Sequence, residues 1–385
     1  MRILVITSGL YEYFYSLQTE LLVLGHEVYV VHFDSYYEKT LGHVQKEKLQ
    51  GDDCDLVITA NIFDSSVTPN ILSFLASYKV TCPIISITWG HPVEEIENLW
   101  QKYDTQRSNA IIKDLKILLW SPCQKAAKEF IKLGFKPIIY APLGFSEKMS
   151  TLPFFRWIKP EQANENVYNE YLKKTKQPSN LELSHAKIIY LGILPKKPEN
   201  LDIEIDFLAR SLAEESIASP IKSRADMEAM WSYIFSKSKI EQLNIFSTLT
   251  KAYKYYHARG TRRVFVHRLK EEFGKHFLLI GDDWIADNIV AKPSQSLNSR
   301  GVIYDKVPVS MDFGSTSFET SFFPRPIEIV KNNGCLLSYR RYDSEHIFQD
   351  NESSLVFDTP DEMCEKVYFL LNNIQERKFC SQNLQ

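Results

Sequence analysis

Arg325 and Glu328 stand three residues apart, with Pro326 between them and a polar loop containing Ser315 and Thr316 just before. Pro326 suits the first turn of a helix, where a missing N–H costs nothing, and Gly334 suits its end. A helix that starts beside an Arg and a Ser/Thr loop attracts anions, because its first N–H groups are unpaired and its dipole is positive there. The same residues also fit an exposed ladder of Arg325, Glu328 and Lys331, worth roughly a few tenths of a kcal/mol. A second group is His91 with Glu94 and Glu95, in a loop that follows an apolar run at 84–88. An imidazole that titrates near neutrality can take a proton from a hydroxyl, and neighbouring carboxylates can do the same work. A turn with His91 packed under Trp89 fits equally. In the third group, Gly192 closes an apolar run and is followed by Lys196 and Lys197. A Lys beyond a Gly turn is a common phosphate site, although a surface turn between Pro195 and Pro198 needs no ligand.

The elements that must hold these groups alternate between strand and helix. Residues 3–7 are a continuous apolar run ending at Ser8-Gly9, which reads as a buried parallel strand and a tight turn. Residues 11–24 carry Phe14, Leu17, Leu21 and Leu22 at helical spacing, Gly25-His26 stops the helix, and 28–33 form the second strand. Further strands are expected at 55–60, 84–88, 116–120 and 138–141, with helices at 70–78 and 124–133. In doubly wound sheets ligands sit in the loops beyond the strands' carboxyl ends, which is where His91 falls. After an irregular segment comes a strand at 187–191. Residues 202–259 are strongly helical and longer than one crossover helix needs, so they read as a helical insertion. A separate basic helix with Arg259, Arg262, Arg263 and Arg268 then leads to a strand at 277–280 that ends at Gly281-Asp282. An apolar run at 307–313, a short helix at 327–330 and a strand at 335–339 follow. Thr359, Pro360 and Glu362 form a capping box ahead of the closing helix.

Composition narrows the class. With 385 residues, 44% of them hydrophobic and 24% charged, the chain can form two or three domains with substantial cores. A net charge of −3 argues against a nucleic-acid partner. The six cysteines are scattered without a CxxC pair and read as reduced, mostly buried, cytosolic thiols. The opening residues read as a strand and not a signal peptide, and no apolar run approaches the roughly 18 residues of a membrane span. The first turn lacks the G-x-G-x-x-G fingerprint, which disfavours hydride transfer.

Arg325-Pro326-Ile327-Glu328-Ile329, followed by Gly334-Cys335-Leu336-Leu337, resembles the nucleotide-sugar half of GT-B glycosyltransferases, and more narrowly the CgeB-type (spore-maturation) family. The resemblance extends to the opening βαβ unit, to Pro142-Leu143-Gly144 at the end of the first domain, to the loop from Gly192 to Lys197, and to the strand before Gly281 and Trp284. It implies an α/β fold of two facing Rossmann-like domains: an acceptor domain at 1–148, a hinge at 149–184, and a nucleotide-sugar domain at 185–385 with the helical insertion at about 202–259. It further implies that Glu328 holds the donor ribose, and that the Gly192 loop with Lys196 or Lys197 meets the diphosphate. Ile193 stands where the family often has Arg. Gly281 and Asp282 would border the base pocket, and Gly9, Tyr304, Ser315, Thr316 and Arg325 would complete the donor site. His91, Glu94 and Glu95 are the candidate bases. Retaining members carry two Glu residues separated by seven others. Here eight residues lie between Glu319 and Glu328, with Thr320 at the expected position, so stereochemistry stays open.

The expectation is a cytoplasmic, metal-independent glycosyltransferase with no cofactor, acting in polysaccharide biosynthesis. It would move a sugar from a nucleotide-sugar donor to a glycan, lipid-linked or protein acceptor. Peripheral membrane contact, oligomeric state, sugar and nucleotide are left open. Two other classes fit: a nucleotide-sugar 2-epimerase of the same fold, and a catalytically silent nucleotide- or sugar-binding partner in surface-glycan assembly.

Overall fold

The structure is a computed structural model. It describes residues 1–7, 11–32, 54–59, 71, 75, 80–88, 116–132, 138–141, 157–158, 183, 185–195, 197–198, 201–218, 240–293, 297–314, 325–341, 343–349 and 352–383. Gly9, His91, Glu94, Glu95, Lys196, Ser315 and Thr316 lie outside these residues, as do most of the helix expected at 70–78 and the middle of the helical stretch at 202–259. The chain divides into two compact units, Met1–Lys174 and Thr175–Gln385.

The first unit is built on β1 (Arg2–Thr7), β2 (Glu27–His32), β3 (Leu56–Thr59), β4 (Ile84–Ile87), β5 (Ile117–Ser121), β6 (Ile138–Tyr140) and β7 (Trp157–Ile158). The sheet order is β6-β5-β4-β3-β1-β2-β7. The pairings are parallel except that β7, from the segment expected to be hinge, lies antiparallel to β2. Parallel strands covered on both faces need unbroken apolar runs, and Ile3, Leu4, Val5 and Ile6 are each no more than 1% exposed. Helix α1 (Tyr11–Val23) stops where the sequence predicts. Gly25 takes φ +84°, and the N–H groups of Gly25 and His26 donate to Leu22 O and Leu21 O, both at 3.0 Å, which satisfies two terminal carbonyls. Helix α2 (Gln124–Lys132) follows β5.

The second unit has a five-stranded, wholly parallel sheet: β8 (Ile188–Leu191), β9 (Phe277–Ile280), β10 (Val309–Asp312), β11 (Leu336–Tyr339) and β12 (Val356–Phe357). Their order is β12-β11-β10-β8-β9. Its helices are α3 (Ile203–Ala218), α4 (Ile240–Phe273), α5 (Leu297–Lys306), α6 (Arg325–Lys331), α7 (Ser344–Phe348), α8 (Glu352–Leu355), α9 (Pro360–Asn372) and α10 (Ile374–Asn383). The sheet core includes Tyr190, Phe265, Phe313 and Phe357, with the rings of Phe265 and Phe313 stacked at 5.3 Å.

In both sheets the unit's first strand lies between its second and its third. The order of winding therefore reverses between β1 and β3, and again between β8 and β10. Both units are Rossmann-like, as the sequence predicts, and such a reversal marks where a ligand crevice opens.

One boundary differs from the sequence reading. The helix expected to stop near Arg259 runs on without a break as the 34-residue α4, through Gly260. A Cβ at Gly260 would collide with Ile217 Cδ1 of α3, so this glycine marks a close helix–helix contact and not a helix end. All six cysteines are free thiols. Among the described residues no helix is long and apolar enough to cross a membrane.

Candidate functional site

The second unit's reversal point is bounded by the carboxyl ends of β8 and β10. β8 ends at Gly192, whose N–H donates to Ile280 O at 2.9 Å and whose carbonyl accepts from Trp284 Nε1 at 2.6 Å. A side chain at Gly192 would collide with Tyr190 Oη, and one at Gly281 with Gly192 O. Gly281 also takes φ +152°, within the range that favours glycine. The two glycines that the sequence singles out are thus adjacent, Gly192 hemmed in by the Tyr190 side chain and Gly281 by the Gly192 backbone. The exposed Asp282 accepts through its carbonyl from Leu194 N–H at 3.3 Å.

β10 ends at Asp312, which is 1% exposed. Arg325, the first residue of α6, donates from Nη1 to Asp312 Oδ1 at 2.8 Å, and Arg341 Nη2 donates to Asp312 Oδ2. Burial pushes the Asp312 carboxyl up, but the Arg341 and Arg325 guanidinium groups outweigh it and hold the group below the usual carboxylate range. Arg325 also lies over the Tyr190 ring, 5.1 Å from its centroid. Arg262 comes in from α4, only 4% exposed, and donates to Ile193 O at 2.6 Å and to Gly314 O at 2.5 Å.

Glu328 sits one turn along α6, half-buried, 3.6 Å from Arg300 Nη1 of α5. Burial holds its carboxyl above the ordinary range, against the pull of Arg300 and Arg325. Tyr304 of α5 is buried nearby, and its hydroxyl has no hydrogen-bond partner among the described residues. Together, four guanidinium groups (Arg262, Arg300, Arg325, Arg341) face two carboxylates (Asp312, Glu328). They lie at the end of a parallel sheet, in largely buried surroundings.

Of the residues that the sequence singles out, the structure brings Gly192, Gly281, Asp282, Tyr304, Arg325 and Glu328 to the ends of β8, β9 and β10 or the helices beside them. Lys197 is engaged elsewhere: Nζ donates to Asp206 Oδ2 at 2.8 Å and lies 5.9 Å from the Tyr256 ring centroid, on the α3–α4 pair. Among the described residues, the cations that donate to the loops after β8 and β10 are arginines. Sequence reasoning passed over Asp312, Arg341 and the pairing of Arg262. One signal was available for Asp312: a carboxylate inside the apolar run 307–313 must be paired if the run is buried. Arg259 adds a second tie, donating to Pro195 O at 3.2 Å and pairing with Asp287 at 2.8 Å. Among the described residues no three His, Cys, Asp or Glu side chains gather as metal ligands would.

Residues 259–384 match a family model described as glycosyl transferase-like. The match spans Arg262, Gly281, Asp312, Arg325, Glu328 and Arg341. No curated protein matches the chain. Solved structures similar to it include the T4 phage BGT with UDP-glucose (12% identity, 100% of this chain and 93% of that chain, TM-score 0.47). The same phage protein with UDP and Mn2+ gives 12% identity, 100% and 94% coverage and a TM-score of 0.46. A putative UDP-N-acetylglucosamine 2-epimerase from Listeria monocytogenes gives 10% identity, 99% and 90% coverage and a TM-score of 0.39.

Proposed function

We propose that the protein is a glycosyltransferase that takes a sugar from a nucleotide-sugar donor bound at the ends of β8 and β10. The observation that carries this reading is the convergence of buried guanidinium groups, Arg262, Arg325 and Arg341, at that reversal point, inside the segment that matches the glycosyl transferase-like model. The donor's diphosphate is dianionic, and it gains a further charge as the bond between its oxygen and the sugar's anomeric carbon breaks. Fixed cations and N–H groups aimed at that oxygen stabilise the leaving group without reorganising. Trp284 holds the Gly192 carbonyl, and planarity of the trans peptide turns the Ile193 N–H the opposite way. Glu328 is placed to accept from donor ribose hydroxyls, and Gly281 and Asp282 to border the base.

The acceptor is a hydroxyl of a glycan, lipid-linked or protein substrate. Its oxygen forms the new bond to the anomeric carbon, and its proton passes to a base for which His91, Glu94 and Glu95 are the candidates if the reaction inverts. Arginine charge at the leaving group supports a metal-independent reaction. The family is proposed to be the CgeB-type branch, on the Arg325–Glu328 pattern.

The test is a thermal-shift panel of nucleoside diphosphates and nucleotide sugars, with magnesium or manganese and with chelator. A ligand at a hundred times its Kd adds about 2.7 kcal/mol of stability. One diphosphate should shift the protein equally with and without metal, and Arg325→Ala/Glu328→Ala should abolish the shift. Retained affinity in that double variant would refute the site. Turnover of the donor without an acceptor would favour a 2-epimerase, and binding without turnover a silent partner.

A further inference from the structure

Arg262 makes a connection that its neighbours do not. Its Nη1 and Nη2 donate to Ile193 O and Gly314 O, carbonyls 69 and 52 residues away in the chain. The first lies in the loop after β8 and the second in the loop after β10, the two strands that flank the reversal point. Both partners are neutral, and burying a guanidinium is costly where, as here among the described residues, no carboxylate pairs with it directly. A neutral donor would have served a simple brace. What Arg offers is a rigid planar fork, which fixes the distance between two acceptors as well as their positions.

The surroundings agree with that use. Gly314 takes φ +96°, and Arg341 lies against the position a side chain there would occupy. Across the gap, Trp284 Nε1 holds the neighbouring Gly192 carbonyl at 2.6 Å. Each carbonyl turned towards a protein donor turns the next N–H of its peptide the other way.

The geometry assigns Arg262 the role of a positioning residue: one guanidinium that sets the spacing of the β8 and β10 loops, and so decides whether their groups converge on a diphosphate. This rests on the donor-site reading above. It adds that the geometry of the fork matters beyond its charge.

Isothermal titration of the full chain with inorganic pyrophosphate, and with the four common nucleoside diphosphates, separates the two. Arg262→Lys keeps the charge but replaces the fork with one ammonium. Binding should weaken at least tenfold. Trp284→Phe keeps the ring and removes only the Nε1–H donor, and should weaken binding less. In combination the two should depart from additivity, because they hold successive peptides, Gly192–Ile193 and Ile193–Leu194. Thr359→Ala, which removes a distant helix cap, should lower Tm and leave affinity unchanged. Wild-type affinity in Arg262→Lys would overturn the positioning role and leave the donor site standing. A wild-type protein that bound neither pyrophosphate nor any diphosphate would overturn the donor site and this role with it. Should Arg262→Lys not fold, wild-type affinity in Trp284→Phe would count against the role.

Discussion

Asp312→Asn tests the charge arrangement most directly. The wild-type carboxylate is 1% exposed and serves two arginines, Arg325 at 2.8 Å and Arg341. The amide keeps the size and loses the charge. Removing one partner of a buried pair costs about 3–5 kcal/mol, because the charge left behind has nothing to replace its lost hydration. Arg341, whose side chain is 3% exposed, cannot rehydrate, whereas Arg325 at 19% partly can. The expected loss is therefore near the lower end, about 3 kcal/mol. The pH dependence has a definite sign. Asp312 titrates below its ordinary 3.8 in the folded protein, so its contribution is complete above that value and lost as pH falls through the folded one. Wild type and variant should differ most at neutral pH and converge in acid. Urea unfolding of the full chain measures the loss, and hydrogen exchange of β10 and β11 reports the unit concerned. Protection there should fall roughly hundredfold at neutral pH. A fall of less than tenfold, or a difference that did not change with pH, would refute the reasoning.

Glu328 carries the opposite sign. Its carboxyl is raised above the ordinary 4.5, so the stability it gives in acid is lost as pH rises through the folded value. Glu328→Gln should therefore raise Tm at neutral pH, with the gain vanishing towards pH 4.5, while donor affinity falls by about 1.5–3 kcal/mol, roughly ten- to a hundredfold. Melting curves with and without nucleoside diphosphate read both effects, and a lower neutral Tm would count against it. Gly281→Ala combines an unfavourable φ with a collision at Gly192 O, and should cost about 1–3 kcal/mol together with diphosphate affinity. An unchanged Tm would show that the β8–β9 approach is looser than the structure has it.

How far the sequence reaches depends on how local the cause is. The stop at Gly25 and the cap at Thr359 are set within a few residues, and both were legible. Thr359 Oγ1 accepts from Glu362 N–H at 3.2 Å as predicted, although in return Glu362 Oε2 accepts from Asp358 N–H at 2.7 Å, one residue before the cap. Gly260 was misread because its reason is Ile217, 43 residues away on another helix. Lys197 looked like the cation of the Gly192 loop on proximity in sequence, but its partner is Asp206 across the turn into α3.

The sequence by itself determined the alternation of buried strands and helices, and with it the α/β class, because apolar periodicity and turn chemistry act over a few residues. It also marked Gly192, Gly281, Arg325 and Glu328. Tertiary structure alone decided which charges meet. Asp312, Arg262 and Arg341 come from a strand, a crossover helix and a loop, and only the parallel order β10-β8-β9 brings them to one end of the sheet. Burial there removes the water that would screen them, which turns arginines scattered in the sequence into one cluster of strongly interacting charges.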